Sequence, residues 1–414
     1  MKNRRIIVVG GGAAGFFAAI ACAESSPGSE VVLLEKTGRF LDKVRISGGG
    51  RCNVTHACFD SREFARRYPR GEHELLAPFK QFSATETVAW FESRGVRLKT
   101  EGDGRMFPVT DLSQTVVDCL MNAAREAGVT LQLHSGVDQI VRRQGGGFDL
   151  KLSPGTTDAE KLLSCDRILL ATGGCRAAAA GRLASELGHT IESPVPSLFT
   201  FHIESPWLRG LAGISLGSAE VSVPTAKLRE RGPLLITHWG LSGPAVLRLS
   251  AWGARALHSA DYRLSMLVNW LPELREDKIS AELNARRKSQ PAKLVVNTPL
   301  APLPSRLWEQ LILAAGIARE TRWAGLSNGQ LHALIQQLTR TEFSVTGKSL
   351  NKDEFVTCGG VRLSEVNFKT MESRVCPGLY FAGELLDVDG VTGGFNFQAA
   401  WTTGWIAGRA MAAV

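Results

Sequence analysis

The sequence of 414 residues lacks two patterns, and each absence excludes a class of protein. Its eight cysteines form no Cys-x-x-Cys pair, so neither a zinc site nor a disulfide framework is indicated and a disulfide reductase is disfavoured. No stretch of about 18 uninterrupted apolar residues occurs, so we expect no membrane span. Scattered reduced thiols suit the cytoplasm, where we place the protein.

Length and charge narrow the remaining classes. The length predicts two domains, or one domain with a large insertion. Lys and Arg number 48 against 40 Asp and Glu, which gives a net charge of +8. A mild excess of this kind fits an anionic ligand, a nucleic-acid partner or nothing beyond solubility.

The N-terminal segment is patterned as strand, glycine turn, helix and strand. A strand over Arg4–Val9 leads into Gly-x-Gly-x-x-Gly at Gly10–Gly15, a helix over Phe16–Ala23 follows, and a second buried strand ends at Glu35. In this fingerprint the glycines permit a tight turn, close approach to a pyrophosphate and helix packing. The terminal acid suits a ribose with a free 2′-hydroxyl, so the pattern predicts FAD or NAD rather than NADP.

Two later segments favour FAD. An apolar strand ends in Ala-Thr-Gly-Gly at 171–174, and a strand over Leu379–Ala382 leads into Gly383-Glu384, a glycine pair and a helix-like run from Phe397. Flavoproteins of the glutathione-reductase type have this order, with a helix N-terminus directed at the flavin. The sequence contains no second Gly-x-Gly-x-x-Gly, so we predict bound FAD with NADH or NADPH as a transient donor.

Three consecutive glycines precede an arginine and a cysteine in RISGGGRCNVTHA at 45–57. The segment could be a second phosphate cradle, the approach to a cysteine nucleophile, or a loop that lies flat against a large ligand. It has no strand of its own followed by a helix, which disfavours a cradle.

These segments belong to a longer series of motifs. With GRMFPV at 104–109, LLITHWGLSGPAVL at 234–247, VTCGGV at 356–361 and GLYFAGELLDVDGVTGGFNFQAAW at 378–401, the chain resembles the BaiN/YhiN family of FAD-dependent oxidoreductases nearly end to end. The alanine-rich stretch at 175–190 departs from that family, and this puts any contact made there in doubt.

The resemblance implies an α/β fold. A Rossmann-type, glutathione-reductase-like FAD-binding domain would be built from residues 1–191 and 355–414, with a mixed β/α domain inserted at 192–354. It also implies reduction of an activated C=C, either in a uridine of ribosomal RNA (rRNA) or in a steroid-like enone. In that family the SGGGRCN segment would be a loop packed along the FAD.

The fingerprint and the resemblance together give a set of candidate cofactor-binding residues in the glycine-rich loops, at strand ends and at the last helix. They are Gly10, Gly12, Ala13, Ala14, Gly15, Glu35, Lys36, Lys43, Ser47, Gly48, Gly49, Gly50, Arg51, Cys52, Asn53, Val137, Ala171, Thr172, Gly173, Gly174, Gly383, Glu384, Gly393, Gly394, Phe395, Asn396 and Gln398. Of these, Arg51 is expected to offset negative charge on phosphate or reduced flavin, and Asn396 and Gln398 to add amide hydrogen bonds.

Cys52 and His238 are the candidate catalytic residues, because reduction of a C=C needs a proton as well as a hydride. A cysteine can supply the proton if its pKa lies near the working pH, whereas most free cysteines are packing residues. A histidine that only bonds nearby backbone is an equally good interpretation of His238.

The inserted segment is patterned differently. Short strands are expected at 197–203 and 218–223, and amphipathic helices at 276–288 and 328–340. Its tryptophans are mostly expected in the core, although an exposed one could stack on a base or a steroid ring. They are Trp207, Trp239, Trp252, Trp270, Trp308 and Trp323.

Basic clusters offer possible contacts to RNA phosphates. They lie at 62–70, 227–231 and 286–288. Such clusters are more often solvated helix faces, and no named RNA-binding module is present.

We therefore predict an FAD-dependent NAD(P)H oxidoreductase of the ene-reductase or dihydrouridine synthase type, with no metal. The positive charge and the resemblance favour rRNA uridine as substrate. A small-molecule enone is the alternative, and a non-catalytic flavin-binding protein is a third possibility.

Overall fold

The computed structural model describes residues 4–153, 162–175, 178–349 and 356–413. The chain forms two compact units, one from residues 1–196 with 352–414 and the other from 197–351. The division expected from the sequence, with an insertion at 192–354, stays a prediction. The strand Ile191–Ser197 pairs with the strand Val356–Val361, and all of its residues except Ser197 belong to the first unit.

The first unit contains the elements before the insertion. Its strands there are β1 (Arg5–Val9), β2 (Glu30–Leu34), β3 (Thr55–His56), β4 (Leu98–Thr100), β5 (Arg105–Pro108), β6 (Thr130–Gln132), β7 (Val137–Arg142), β8 (Phe148–Leu152), β9 (Leu162–Cys165), β10 (Arg167–Leu170) and β11 (Ile191–Ser197). Its helices there are α1 (Ala13–Ser25), α2 (Asp42–Gly50), α3 (Ser61–Ala65), α4 (Glu72–Gln81), α5 (Ala84–Glu92), α6 (Ser113–Glu126) and α7 (Ala178–Glu186).

The inserted unit and the C-terminal part follow in the chain. The inserted strands are β12 (Thr200–Ile203), β13 (Ser215–Val223), β14 (Leu228–Ile236), β15 (Gly240–Ser242), β16 (Leu264–Asn269) and β17 (Thr341–Ser349). The inserted helices are α8 (Pro206–Arg209), α9 (Pro244–Trp252), α10 (Ala254–Ser259), α11 (Glu276–Ser289), α12 (Ser305–Ala314) and α13 (Asn328–Arg340). The first unit ends with β18 (Val356–Val361), β19 (Val366–Asn367), β20 (Glu372–Ser373), β21 (Leu379–Phe381) and α14 (Phe395–Ala412).

A parallel sheet forms the centre of the first unit. Its strands lie in the order β6-β2-β1-β10-β21, all parallel, and β20 and β19 continue the edge in antiparallel fashion. The strands β1 and β2 are nearly continuous buried apolar runs, as a sheet covered on both faces requires. In this Rossmann order the carboxyl ends of β1, β2, β10 and β21 meet at one edge, where ligands bind in such folds. The α/β fold class is confirmed.

Helices α1 and α14 cross at backbone contact. A Cβ atom placed on Gly404 of α14 would overlap with the carbonyl oxygen of Ala14, and one on Gly408 would overlap with that of Ala18. Small residues on both helices therefore allow the C-terminal segment to pack directly on the first crossover helix. This crossing places Gly404, in the middle of α14, against the first turn of α1.

The inserted unit contains a closed antiparallel barrel with strand order β12-β15-β14-β13-β16-β17. The helices predicted at 276–288 and 328–340 are confirmed as α11 and α13. Three tryptophans are fully buried, as expected for core residues, namely Trp270, Trp308 and Trp323. Among the described residues, no helix combines the length and apolar character needed to cross a membrane.

Candidate functional site

The turn after β1 contains two kinds of glycine. Gly10 has a φ of 114°, and a Cβ there would overlap with the backbone of Ala171, while a Cβ on Gly15 would overlap with the carbonyl oxygen of Gly10. Both glycines are therefore required by the fold itself. Gly12 has an ordinary φ of −94°, and a Cβ there would meet no described atom within 4 Å. Its missing side chain leaves open space that the protein does not fill.

That open space lies at the N-terminus of α1. Gly12 is the N-cap, no described side chain caps the helix, and its first turn has no acidic residue. The N–H groups of a helix start carry partial positive charge, so the position is suited to an anion. Glu35 accepts hydrogen bonds from the N–H groups of Gly11 (2.8 Å) and Thr37 (2.9 Å), which fix its carboxylate beside the turn. Further lone pairs on that carboxylate can accept ribose hydroxyls.

Lys36 and Val137 lie beside Glu35. The N–H group of Ser135 donates to the Glu35 carbonyl at 2.8 Å, so the segment before β7 runs along the end of β2. A Cβ on Gly136 would lie 3.2 Å from the Cβ of Lys36. Val137 is half-buried, and Lys36 is exposed.

The Ala-Thr-Gly-Gly segment follows β10 and lies against the glycine turn. The Thr172 hydroxyl is buried and has no hydrogen-bond partner among the described residues. Gly173 has a φ of 78°, and a Cβ there would meet no described atom within 4 Å. A buried hydroxyl without a partner is rare in a folded protein, so this combination is what a bound polar ligand would satisfy.

Gly383 and Glu384 follow β21 at the same edge. Gly383 has a φ of 71°, and a Cβ there would lie 2.9 Å from the Cβ of Ala14 in α1. Glu384 accepts a hydrogen bond from the N–H group of Thr357 (2.9 Å) and forms an ion pair with Lys43 of α2. Three strand ends, those of β1, β10 and β21, therefore lie close together, and helix α2 lies beside them.

The regular helix α2 ends at Ser47, where an unusual loop begins. Gly48, Gly49 and Gly50 have φ angles of 59°, 68° and 83°. Such left-handed conformations favour glycine. A Cβ on Gly49 or Gly50 would meet no described atom within 4 Å, so both present bare backbone to open space. The prediction that this loop lies along a large ligand stays a proposal.

Asn53 joins that loop to the start of α14. In the orientation that satisfies its neighbours, its side-chain amide accepts from the N–H group of Gly394 (2.9 Å) and donates to the carbonyls of Thr55 (2.9 Å) and Met106 (3.2 Å). The amide therefore bridges the loop, the small sheet and the glycine pair before the last helix. Asn53 was expected among the cofactor-binding residues, and this bridge has no signal in the local sequence.

His56 makes a second connection to the same glycine pair. Its Nδ1 lies 3.1 Å from the carbonyl oxygen of Gly393, and its ring stacks on Phe395 with centroids 4.7 Å apart. Helix α14 begins after Gly394, no described side chain caps it, and its first turn has no acidic residue. A second helix start suited to negative charge is thus fixed near the loop.

The side-chain amides of Asn396 and Gln398 point to protein groups. Asn396 donates to the carbonyl of Gly390 (2.9 Å) and accepts from its N–H group (2.8 Å). Gln398 has 0% exposed surface; its amide donates to Thr87 and Thr402 and accepts from Thr55. Both amides are thus engaged in holding the loop, and the expected flavin contacts from them stay a prediction.

Arg51 is also engaged within the protein. Its guanidinium donates to Glu101 (2.6 Å) and lies 4.0 Å from the centroid of the Phe107 ring. The hydrogen bond to Glu101 raises the pKa of Arg51, and Asp111 adds to the effect. The charge of Arg51 is therefore balanced by carboxylates, which weakens its expected role beside phosphate or flavin.

Cys52 is fully buried by the protein alone, with a φ of 61°. Burial raises the pKa of its thiol to about 12, and a hydrogen bond with Ser47 acts weakly in the opposite direction. A thiol with no accessible surface does not reach a substrate, and this pKa is far above a working pH near neutrality. The burial and the raised pKa favour a packing role for Cys52, and a catalytic role for it stays a prediction.

His238 lies in the inserted unit, in the turn that joins β14 to β15. It is exposed, and the neighbouring Trp239 is exposed as well. His238 belongs to the inserted unit, whereas the candidate flavin site belongs to the first unit. A role of His238 beside a flavin therefore stays a proposal.

A largely buried ion pair that no local sequence pattern predicts holds the loop before α14. Arg70 and Asp389 form a bidentate pair in which Asp389 has 0% exposed surface. The hydroxyl of Tyr68 donates to the Phe395 carbonyl nearby. Arg70 was expected in a basic cluster available to RNA; its side chain is 11% exposed and its charge is engaged by Asp389 within the protein. Only the charge of Asp389 in the LDVDG segment could have hinted at the pair.

The chain matches one family model and two relatives over nearly its whole length. The family model described as "HI0933-like protein Rossmann domain" matches residues 4–410. The chain is 30% identical over 404 residues to a "3-dehydro-bile acid delta(4,6)-reductase" of Clostridium scindens, covering 95% of this chain and 96% of that protein. It is 31% identical over 390 residues to a "Ribosomal RNA dihydrouridine synthase" of Escherichia coli, covering 91% of each.

A solved structure shares the fold. A 3-ketosteroid-delta4-(5alpha)-dehydrogenase from Rhodococcus jostii superposes with a TM-score of 0.52 at 14% identity, covering 99% of this chain and 97% of that one. At this identity the likeness concerns the fold alone.

Proposed function

Because the chain belongs to the HI0933-like family, the BaiN/YhiN family of FAD-dependent oxidoreductases, we propose that it is a reductase of an activated C=C, with uridine in rRNA as its substrate. When bound, FAD would take a hydride from NADH or NADPH and deliver it to the alkene. The relative from Escherichia coli, whose printed name is rRNA dihydrouridine synthase, supports this choice. A cytoplasmic location would follow from an rRNA substrate.

The observation that carries the proposal is the open, polar edge of the parallel sheet. Gly12, Gly49, Gly50 and Gly173 present backbone to space that no described atom occupies, and Thr172 has a buried hydroxyl without a described partner. An elongated ligand with phosphates and hydroxyls fits this set, so the residues present suit FAD. We propose that α1 holds the pyrophosphate, Glu35 the ribose, and the loop at 47–53 with the start of α14 the flavin end.

The distribution of charge supports an RNA substrate. Residues 197–351 contain 18 Lys and Arg against 11 Asp and Glu, so this unit accounts for +7 of the net charge of +8. The first unit is close to neutral. A basic module inserted into a neutral cofactor-binding unit is expected where the substrate is a polyanion.

A steroid-like enone is the second candidate substrate. The relative from Clostridium scindens, named as a bile acid reductase, is as similar to this chain as the rRNA enzyme is. Both reactions require a proton donor beside the hydride acceptor, and we propose His238 for this role, since Cys52 is buried.

One experiment separates these possibilities. The purified protein, reduced with NADH without oxygen, would be given either unmodified rRNA or a steroid enone, and dihydrouridine and saturated ketone would be measured. We expect dihydrouridine with the wild type and none with His238→Ala, whose reduction by NADH should be unchanged. Saturated ketone alone would establish the second candidate, and NADH oxidation with neither product would contradict both. A flavin that NADH does not reduce would favour another donor or a non-catalytic role.

A further inference from the structure

One large aromatic side chain of the inserted unit is exposed and yet fixed in place. Trp239 lies between β14 and β15 with 66% of its surface exposed, whereas Trp270, Trp308 and Trp323 are fully buried. Exposing so much apolar surface is unfavourable for an isolated protein. A tryptophan in this position therefore calls for an explanation.

Backbone hydrogen bonds hold the turn that carries Trp239. The N–H group of Thr237 donates to the Gly240 carbonyl (2.8 Å), and the Thr237 hydroxyl accepts from the N–H groups of Trp239 (3.3 Å) and Gly240 (3.2 Å). The carbonyl of Trp239 accepts from the N–H group of Ile203 at 2.9 Å. The turn is thus anchored to β12 as well as closed on itself.

The indole itself rests on a second ring. Trp239 stacks on His202 with ring centroids 5.9 Å apart and planes inclined by 14°. His202 lies opposite Gly240 of β15, the neighbouring strand on one side, and opposite Gly347 of β17 on the other side. Glycine at both neighbouring positions leaves room for the flat stack. One indole face is supported, and the exposed part of the ring is held ready for another flat group.

Two arginines lie on or beside the segment that is hydrogen-bonded to this turn. The segment 204–213 leaves β12 beside Trp239 and returns to Ile236, whose carbonyl accepts from the N–H group of Gly213 at 2.9 Å. Arg209 in this segment is exposed and has no ion-pair partner among the described residues, and Arg306 donates to the Gly210 carbonyl next to it. Glu204 is the single acid of the segment.

We propose that Trp239, supported by His202, is a stacking site for an unpaired base of RNA, with Arg209 contacting the adjacent phosphate. Aromatic stacking plus a cation on the backbone is the chemistry by which proteins hold single-stranded nucleic acid. The inference rests on the proposed function in so far as the substrate is RNA. It concerns binding, however, and is separable from turnover.

The test is binding of a short uridine-containing single-stranded RNA, measured by fluorescence anisotropy with the flavin-loaded protein. Trp239→Ala should weaken binding by roughly 5- to 150-fold, the effect of one lost base stack. Trp239→Phe, which keeps an aromatic face, should recover most of the affinity. The matched control is Trp252→Ala, because Trp252 is the other strongly exposed tryptophan in this unit at 40% and should leave affinity unchanged.

A second pair of variants tests the phosphate contact. The slope of log affinity against log salt concentration depends on the number of phosphates that the protein neutralises. Arg209→Ala should reduce this slope by the contribution of about one phosphate. Arg263→Ala removes the same charge from an exposed position elsewhere in the unit and should not reproduce the effect.

Equal affinity of Trp239→Ala and wild type would overturn the stacking site, and dihydrouridine formation by both would leave the proposed function standing. A wild type that does not bind the RNA also overturns the site. In that case, reduction of the enone alone would show that the rRNA substrate had failed too. If Trp239→Ala binds RNA as well as the wild type does but no longer reduces the enone, the indole would instead be assigned to binding the ring of the enone.

Discussion

Replacing Gly12 by valine tests whether this glycine is required for folding or for binding a ligand. The conformation of Gly12 at a φ of −94° is open to any residue, and its Cβ direction is empty among the described atoms. Replacing a glycine N-cap by an apolar residue destabilises the helix. Valine also restricts the unfolded chain more than glycine does, which stabilises the folded state, and each of these two free-energy changes is below about 1 kcal/mol. We therefore expect the ligand-free variant to fold with nearly unchanged stability.

The same variant should lose its cofactor. A branched side chain at Gly12 would occupy the space from which backbone N–H groups reach a pyrophosphate. Losing two such bonds, each worth about 1.5–3 kcal/mol to a charged acceptor, predicts a fall in FAD affinity of roughly 100-fold or more. The assay is the visible absorbance retained after gel filtration with excess FAD, beside thermal unfolding of the flavin-free protein.

Two other variants control this comparison. Gly217→Val introduces the same side chain into open space in the inserted unit and should keep its flavin. Gly15→Ala places a methyl group into the carbonyl of Gly10 and should destabilise the flavin-free protein. A Gly12→Val protein that retains a full complement of flavin would refute the cradle, and one that fails to fold would show that the glycine serves the fold instead.

Three further predictions concern buried groups. Cys52→Ala should retain turnover, and a thiol reagent should not modify Cys52 in the folded protein, because burial raises its pKa to about 12. Asp389→Asn removes the buried carboxylate that pairs with Arg70 and should lower the free energy of unfolding in urea by about 3–5 kcal/mol. Burial lowers the pKa of His189; burial alone would raise that of Glu365, but hydrogen bonds from Thr190 hold it below its usual value. Both groups then favour folding above their unfolded pKa values, so stability should fall as the pH drops below about 6.5, and His189→Gln should reduce that loss.

Local patterns predicted the secondary structure at the start of the chain well. The β-branched strand, the glycine spacing and the acid at Glu35 are short-range features, and they place β1, α1 and β2 within a few residues of their observed bounds. The helices α11 and α13 follow from amphipathic periodicity for the same reason.

Contacts between distant parts of the chain were not predictable in this way. The pair Arg70–Asp389 joins residues 319 positions apart, and neither residue has a local pattern that marks it as buried. Asn396 and Gln398 have the polar character of ligand contacts, but whether an amide faces a ligand or a carbonyl depends on tertiary packing. The burial of Cys52 likewise follows from the loop that surrounds it, which the residue type does not encode.

The central claim is that the open edge of the parallel sheet holds FAD for reduction chemistry. The most direct measurement is the visible absorption spectrum of the purified protein without oxygen, before and after addition of NADH. The account predicts a flavin spectrum that bleaches with NADH in the wild type and is missing in Gly12→Val. A wild-type protein without a flavin spectrum, even after incubation with FAD, would contradict it.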